Sequence, residues 1–239
     1  MKTIRLFSIT LISLTLAFCT VSQAAKNGDS RQKRNVPSFH GISAAAGINV
    51  FLTQNDREEV IVEADEDDMD DLITKVEGGV LKIHMKQRSM LNFDWSSSER
   101  NVYVSFKNLD RIEASSSADV VSQSVLNLDR LDLNASSSAT IKLELNAKEV
   151  DAESSSAADI HLKGKGYSLE ANASSSSEID ASDFETKRCN ANASSAADIR
   201  VYVTDELDAN ASSGADIAYS GGPDRKNINE SSGGDIHGR

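Results

Sequence analysis

Apolar and polar residues alternate strictly over long stretches of this chain. Over residues 131–145, every second residue is Leu, Ala, Ser or Ile, and the residues between them are polar or charged. This period of two is typical of β-strands with one buried face, because successive side chains of a strand point to opposite faces. The helical stripe of apolar residues at i, i+3 and i+4 is not seen. The pattern therefore predicts an all-β fold.

A nine-residue unit occurs seven times after residue 110, at offsets of 18 to 21 residues. The copies are IEASSSADV (112–120), LNASSSATI (133–141), AESSSAADI (152–160), ANASSSSEI (171–179), ANASSAADI (191–199), ANASSGADI (209–217) and INESSGGDI (228–236). Repeats of this length that alternate with period two describe coils of strands, each stacked on its neighbours. We therefore predict a single-domain parallel β-helix, a solenoid of about 19-residue coils, with its Ser-rich repeats over 109–239.

Stacking turns each position of the repeat into a column of equivalent residues. The predicted inward columns contain Ile or Val, then Ala, and then serine from Ser116 to Ser232. A buried hydroxyl without a partner costs on the order of 1–3 kcal/mol. We therefore expect these serines to lie at a tight corner, where they bond the backbone or a stacked neighbour.

Residues 36–108 are less regular than the repeats but are also rich in β-strand signals. Alternating apolar residues occur around 48–52, 60–62, 81–85 and 102–106. Gly78 and Gly79 precede one of these runs and predict a hairpin turn. We expect this part and the repeats to form one domain over 36–239.

The first 24 residues have the features of a secretory signal peptide. A basic start is followed by an apolar run over 6–18, which is too short to span a membrane, and small residues precede a cut after Ala24. Acylation of Cys19 is the alternative, although bulky Phe18 precedes it. We expect 25–35 to be flexible, and the mature chain to be exported to the periplasm or the outer cell surface without a transmembrane segment.

After cleavage, Cys189 is the one remaining cysteine, so an intramolecular disulfide cannot form. It occupies the column of Leu131, Val150, Leu169 and Leu207. We predict that it is a small buried apolar residue rather than a reactive thiol.

Four segments of the N-terminal part resemble a known family. They are 39–42, 47–50, 60–65 and 79–83, and the second contains the tripeptide Gly-Ile-Asn. Together they resemble the auto-transporter adhesins with a head GIN domain, over about 36–236. The resemblance implies an exported, right-handed β-helical protein of Bacteroidetes-like cell envelopes with an adhesive role. The family has no assigned catalytic residues.

The formal charge of the chain argues against nucleic acid or an anionic membrane as a partner. It is −12, and without Lys2 and Arg5 of the leader it becomes −14, from 23 basic and 37 acidic residues. A polyanion would be repelled by such a chain.

Signals for catalysis and for cofactors are missing from the sequence. The four histidines, His40, His84, His161 and His237, are scattered and show no metal-ligand spacing such as HExxH. There is no nucleophile elbow, P-loop or dinucleotide fingerprint. We therefore predict no catalytic residue and no cofactor.

Two outward columns form a regular polar array that could bind the hydroxyls of a glycan. The candidate ligand-binding residues are Asn134, Asn172, Asn192 and Asn210 in one column and Ser174, Ser194 and Ser212 in the other. The alternative is that these side chains only satisfy one another and the backbone in stacked ladders.

A third outward column is acidic and could recruit Ca²⁺ through its oxygen ligands. Its candidate metal ligands are Asp159, Glu178, Asp198 and Asp216. The Ca²⁺-binding nonapeptide pattern is absent, so we expect solvated carboxylates here rather than a metal site.

Large apolar residues cluster in the segment 88–100 and include Trp95. They could form a partner-binding tip, or they could fold back against the end or flank of the β-helix.

These features favour a non-enzymatic β-helical adhesin that binds a cell-surface glycan or protein. The alternative is a structural or self-assembly module that forms a homo-oligomer through its terminal coil, 231–237, since nothing in the sequence caps it. A carbohydrate-active enzyme is the third reading, and the missing catalytic residues oppose it.

Overall fold

The computed structural model describes residues 29–86 and 99–239 of the chain. Within this part, seventeen β-strands account for nearly all regular structure. Those before the repeats are β1 (Asp29–Arg34), β2 (Gly41–Ala45), β3 (Asn49–Gln54), β4 (Glu59–Asp65), β5 (Leu72–Glu77), β6 (Val80–Met85) and β7 (Asn101–Phe106), with one helical turn, α1 (Glu66–Met69). Those of the repeats are β8 (Arg111–Ser115), β9 (Asp119–Ser122), β10 (Leu126–Ser136), β11 (Thr140–Ser155), β12 (Asp159–Ser174), β13 (Glu178–Ser194), β14 (Asp198–Ser212), β15 (Asp216–Ser220), β16 (Arg225–Ser231) and β17 (Asp235–Gly238).

Strands of successive coils pair in parallel, with equivalent residues of the repeat in register. Ile141 of β11 pairs with Ile160 of β12, which pairs with Ile179 of β13. The result is a single-domain, all-β solenoid of about seven turns with coils of about 19 residues. The predicted parallel β-helix is therefore confirmed.

The core of the solenoid consists of columns of small and branched apolar side chains. The column of Ile141, Ile160 and Ile179 is fully buried, and so are most alanines of the repeats. Cys189 is buried in register between Leu169 and Leu207, as predicted. Burial raises the pKa of its thiol to about 12, which keeps the sulfur protonated and unreactive.

The serine column that the alternation places inside is exposed, so that prediction is wrong. Ser137 and Ser138 both have positive φ angles, 55° and 59°, and form a two-residue turn between β10 and β11. Because the turn takes the chain out of the extended conformation, their side chains reach solvent. The same two positions have positive φ in all seven copies, at Ser116-Ser117, Ser137-Ser138, Ser156-Ala157, Ser175-Ser176, Ser195-Ala196, Ser213-Gly214 and Ser232-Gly233. The predicted tight corner is therefore confirmed.

Backbone hydrogen bonds join these corners to one another along the stack. The amide of Ser138 donates to the carbonyl of Ser156 on the next coil, at 3.1 Å, and the amide of Ala157 donates to Ser175 at the same distance. Within one corner, the amide of Ala139 donates to the carbonyl of Ser136 at 3.3 Å. Two consecutive positive φ angles with this bond match a type I′ turn. The corner thus satisfies its own backbone and that of its neighbour.

The Gly-Ile-Asn tripeptide belongs to an eighth corner at the start of the solenoid. Ala46 and Gly47 have φ angles of 68° and 64°, and the amide of Gly47 donates to the carbonyl of Ser116 at 3.0 Å. Ile48 is fully buried, and Asn49 pairs with Asp119 of the acidic column. The segment 42–50, ISAAAGINV, is thus a further copy of the repeat. This copy was not recognised among the Ser-rich repeats because Ala and Gly replace its serines.

Strands between the first and second copies cap the N-terminal end. β6 and β7 pair in parallel with β2 and β3, whereas β5 is antiparallel to β6 and β4 to β7. The β5–β6 connection confirms the hairpin predicted at Gly78 and Gly79. β1 pairs antiparallel with β4. The prediction of flexibility for 25–35 is therefore wrong over Asp29–Arg34, because these residues complete the cap.

The C-terminal coil carries charges where earlier coils carry core residues. Lys226 and Glu230 of β16 occupy the columns of Leu207 and Ala211. A carboxylate oxygen of Glu230 accepts a hydrogen bond from the amide of Ile236 at 2.8 Å. Charges at core-column positions of an edge strand oppose pairing with another chain, because pairing would bury them. This end of the stack is thus protected by its own side chains.

The corner geometry predicts that a branched side chain destabilises the fold even at an exposed position. Ser138→Val places a β-branched residue at a φ of 59°, and we expect a loss of about 1–2 kcal/mol in the free energy of unfolding. Lys142→Val, at an exposed strand position of the next coil, is the matched control and should change it by less than about 0.5 kcal/mol. Guanidinium denaturation measures both, and equal effects of the two variants would contradict the prediction.

Candidate functional site

A shallow groove runs along the stacking direction on the face formed by the outward Asn and Ser columns. It has a volume of about 610 Å³ and follows six successive coils. Its polar lining consists of Asn134, Glu153, Ser154, Ser155, Asn172, Ser174, Asn192, Ser194, Asn210, Ser212, Asn229, Glu230 and Ser231. All seven Asn and Ser candidates from the sequence are among these residues. Trp95, the eighth candidate, lies outside the described residues.

The asparagines of the groove are hydrogen-bonded to one another in a ladder. The side-chain amide of Asn229 donates to Oδ1 of Asn210 at 3.0 Å, Asn210 donates to Asn192 at 2.9 Å, and Asn192 donates to Asn172 at 3.0 Å. Asn192 also donates to Oδ1 of Asn190 at 3.1 Å. The ladder therefore occupies the amide donors of its central members, as the stacking alternative required.

The serines beside the ladder have hydroxyl groups that are not engaged. Ser155, Ser174, Ser194 and Ser212 are half-buried, and their hydroxyls make no hydrogen bond to any other described residue. Because the coils are stacked in register, these hydroxyls are spaced by about 4.8 Å. The groove thus presents a row of donor–acceptor groups supported by a rigid ladder.

Two serines elsewhere in the repeat do point inward, and their hydroxyls are satisfied. Ser154 and Ser177 are 2% exposed and replace core alanines of neighbouring coils. The Ser154 hydroxyl donates to the carbonyl of Ala158 at 2.7 Å, and the Ser177 hydroxyl donates to the carbonyl of Ser154 at 2.8 Å. They stabilise the corner, and Ser154 also lines the groove, whereas Ser177 does not.

A column of carboxylates lies next to the Asn ladder. Asp151 pairs in register with Asp132 on one side and Glu170 on the other. Burial raises the pKa of Asp151 above its ordinary value of 3.8, and the carboxylates of Glu170, Glu153 and Asp132 raise it further. Its Oδ1 atom is shielded from solvent and has no hydrogen-bond partner among the described residues. The charge on Asp151 is thus a local cost to the fold.

The acidic column that contains the four candidate Ca²⁺ ligands does not form one cluster of all its carboxylates. Asp159 and Asp198 belong to no group of three potential ligands among the described residues, whereas Glu178 and Asp216 each belong to one. Glu178 lies with Asp180 and His161, and Asp216 lies with Asp235 and His237.

These two groups contain histidines, His161 and His237, to which the sequence analysis gave no metal-binding role. His161 pairs in register with Asp180 on the next coil, so the relevant spacing is one coil length, not the short spacing of a helical motif. Alignment of successive copies of the repeat could have identified these groups, because it places His161 beside Asp180 on the next coil.

Arg200 neutralises the first of these groups. Its Nη1 atom forms an ion pair with Glu178 and lies 3.8 Å from Oδ2 of Asp180. Burial tends to raise the pKa of Asp180, but hydrogen bonds from Ser182 and the Arg200 charge outweigh it, so the net shift is downward. The carboxylate of Asp180 is therefore held ionised beside a fixed cation.

A second, wider groove of about 940 Å³ lies on another part of the surface. Tyr167 is 47% exposed there, and its ring stacks with the Arg188 guanidinium at 5.5 Å from the ring centre. Lys148 beside it is paired with Asp129 at 2.6 Å. The groove contains both acidic and basic side chains, which match no particular ligand class. The sequence analysis did not predict this groove.

The raised pKa of Asp151 predicts a pH-dependent gain on neutralisation. A raised pKa means that the carboxylate is disfavoured in the folded state, so the penalty is absent below pH 3.8 and complete once pH exceeds the folded pKa. Asp151→Asn should therefore raise the melting temperature at pH 7 and have little effect at pH 3. Glu144→Gln, at an exposed site, removes the same charge and serves as the control. A gain at pH 3 equal to that at pH 7 would contradict the burial argument.

Comparison with known proteins places the fold. Solved structures similar to this chain include a "putative adhesin" from Bacteroides fragilis, with a TM-score of 0.81, 18% identity and coverage of 90% of this chain and 98% of that one. A "putative adhesin" from Parabacteroides merdae has a TM-score of 0.72 and 19% identity, covering 89% and 97%. A "putative lipid binding protein" from Parabacteroides distasonis has a TM-score of 0.70 and 22% identity, covering 89% and 97%. At these identities the likeness shows the fold.

Among curated protein sequences, none matches this chain. No helix within the described ranges is long and apolar enough to cross a membrane. The sequence model of one family, described as "Putative auto-transporter adhesin, head GIN domain", matches residues 38–223, which include the Gly-Ile-Asn corner and six of the seven Ser-rich copies. The chain belongs to this family of adhesin-like, β-helical head GIN domain proteins.

Proposed function

We propose that this protein is an exported, non-enzymatic adhesin that binds a neutral, extended glycan along the serine groove. The observation that carries the proposal is the row of unengaged hydroxyls at Ser155, Ser174, Ser194 and Ser212, repeated once per coil along a groove. The adhesin family to which the chain belongs supports a binding role. The signal-like residues 1–24 support export, to the periplasm or the outer surface.

The chemistry of the groove suits a ligand with many hydroxyl groups. Each serine hydroxyl can donate one hydrogen bond and accept two, which matches the mixed donors and acceptors of a sugar. Serine loses little side-chain entropy when it is fixed, and the asparagine ladder already holds the surface in place. The charged residues of the lining are acidic, so an anionic glycan is disfavoured.

The spacing of the groove carboxylates opposes glycoside hydrolysis. Glu153 and Glu230 are four coils apart, since the register runs from Glu153 through Asn172, Asn192 and Asn210 to the coil of Glu230. Four coils correspond to roughly 19 Å. Glycosidases place their two carboxyl groups about 5 to 9.5 Å apart. A binding groove therefore fits this pair better than an active site.

The test is a triple substitution of groove serines with a matched control. Ser174, Ser194 and Ser212 are all changed to Ala, and binding of the mature chain to an array of neutral plant and mucin oligosaccharides is measured. Loss of three hydrogen bonds at about 0.5–1.5 kcal/mol each should weaken binding at least tenfold. The control changes the adjacent corner residues Ser175, Ser195 and Ser213 to Ala, which are exposed but do not line the groove.

We expect the corner variant to bind like the parent, and both variants to keep the parent circular dichroism spectrum. Equal loss in both variants would mean that the effect is not specific to the groove. Binding by the parent only to a protein ligand, or retention of glycan binding by the groove variant, would contradict the glycan proposal.

Self-assembly through the terminal coil is the alternative function, and the charges of β16 oppose it. Lys226 and Glu230 stand where earlier coils have Leu207 and Ala211. We therefore expect the parent to sediment as a monomer, and the double variant Lys226→Leu, Glu230→Ala to form dimers or larger species at tens of micromolar. Concentration-dependent association of the parent, unchanged in the double variant, would favour assembly by another surface and contradict this expectation.

A further inference from the structure

The last two coils bring two carboxylates and an imidazole to one point. Asp216 of β15 pairs in register with Asp235 of β17, and His237 follows two residues later on the same face. Nδ1 of His237 lies 3.3 Å from Oδ2 of Asp235 and 3.5 Å from Oδ2 of Asp216. One ligand atom from each residue therefore lies within 4.8 Å of the others.

The imidazole nitrogen at the centre of this group contacts both carboxylates without forming a hydrogen bond to either. Nδ1 of His237 is shielded from solvent and makes no hydrogen bond to any described residue, although two carboxylates flank it. The His237 side chain as a whole is 41% exposed, so the group is open to ions from solvent. The separations of Nδ1 from the two carboxylates match the edge of a tetrahedron whose centre lies about 2.1 Å from each ligand, which is about 3.4 Å.

The basic side chain that contacts these two carboxylates is His237 itself. No lysine or arginine in the described part of the chain forms an ion pair with Asp216 or Asp235. Two carboxylates on adjacent coils repel each other, so a bound cation would relieve the repulsion.

An equivalent group earlier in the stack provides an internal comparison. His161, Glu178 and Asp180 use the same two columns of the repeat, but there the Arg200 guanidinium is inserted between the carboxylates. Arg200 pairs in register with Ala218, which in turn pairs with His237. The neighbour of the earlier group in this column is thus a guanidinium, whereas the neighbour of His237 in the same column is a methyl group.

We propose that Asp216, Asp235 and His237 bind a divalent transition metal of the zinc class, and that Arg200 prevents the group around His161 from doing so. A nitrogen ligand with two carboxylates favours such metals over Ca²⁺ and Mg²⁺, which prefer oxygen ligands alone. Three protein ligands leave one tetrahedral position for water or another group. Because Asp216 lies on β15 and the other two ligands lie on β17, the metal joins the final coil to the preceding one.

The first test uses the mature chain with ZnCl₂ and CoCl₂ as probes. Calorimetry should show one Zn²⁺ per chain with micromolar affinity, and Co²⁺ should give the visible absorption of a tetrahedral site. Variants His237→Gln and Asp235→Asn should each weaken binding at least tenfold. Asp159→Asn and Asp198→Asn, in the same acidic column but outside both groups, are the controls and should bind like the parent.

The second test is a gain of binding at the earlier group. Arg200→Ala should raise the stoichiometry from one Zn²⁺ to two, and the double variant Arg200→Ala, His161→Gln should return it to one. Arg200 is 30% exposed, so its removal should not prevent folding, which circular dichroism checks.

Three outcomes would overturn the proposal. They are the absence of saturable Zn²⁺ binding by the parent, binding that survives both His237→Gln and Asp235→Asn, and a stoichiometry in the Arg200→Ala variant that stays at one. Equal losses in the Asp159→Asn and Asp198→Asn controls would mean that the acidic surface binds cations without a defined site, and would also overturn it.

Discussion

A hydrogen bond between successive corners is the interaction on which the rest of this solenoid depends. At each corner two residues adopt positive φ angles. From the corner of Gly47 to that of Ser213, the amide of the second residue donates to the carbonyl of the first corner residue on the next coil, as between Ser138 and Ser156. Most of these residues are Ser or Ala, which pay a steric cost in this conformation. The bond to the neighbouring coil offsets that cost, so the corners are stable only as a stack.

Alignment of the corners is what turns the repeat into functional columns. Once the corners are aligned, the asparagines before them form a ladder, the serines between ladder and corner line a groove, and the residues after them form an acidic column. Because neighbouring coils are only about 4.8 Å apart, identical side chains in one column interact with one another. Amides satisfy one another, hydroxyls remain available, and carboxylates require a counter-charge such as Arg200.

The two ends of the stack solve the same physical problem in different ways. An exposed end presents unpaired backbone groups and apolar columns. The N-terminal end is covered by the antiparallel strands inserted between the first two copies of the repeat. The C-terminal end has charged residues, Lys226 and Glu230, in place of core residues. Both arrangements oppose the pairing of an end coil with the strands of another chain.

Much of this arrangement could be predicted from the sequence, because the alternation and the repeat length determine strands and stacking. The groove candidates were found for the same reason. The prediction that the Ser137 column faces inward was wrong. Ala135 and Ala139 are both core residues four positions apart, so strict alternation also places Ser137 in the core. The turn between them points Ser137 outward without disturbing that alternation, so the sequence pattern does not reveal it. The copy at 42–50 lacks the serines that define the others. The histidine groups depend on coil register, which no local motif reveals.

Native-state hydrogen exchange at the corner amides tests the central claim most directly. The side chains of Ser138, Ala157 and Ser176 are exposed, but their amides donate to the next coil at 3.1 Å. If the corner bonds hold the stack, these amides exchange as slowly as those of the buried strands around them and are released together in global unfolding. Exchange at rates typical of solvent-exposed turns, with protection confined to the strands, would contradict the account.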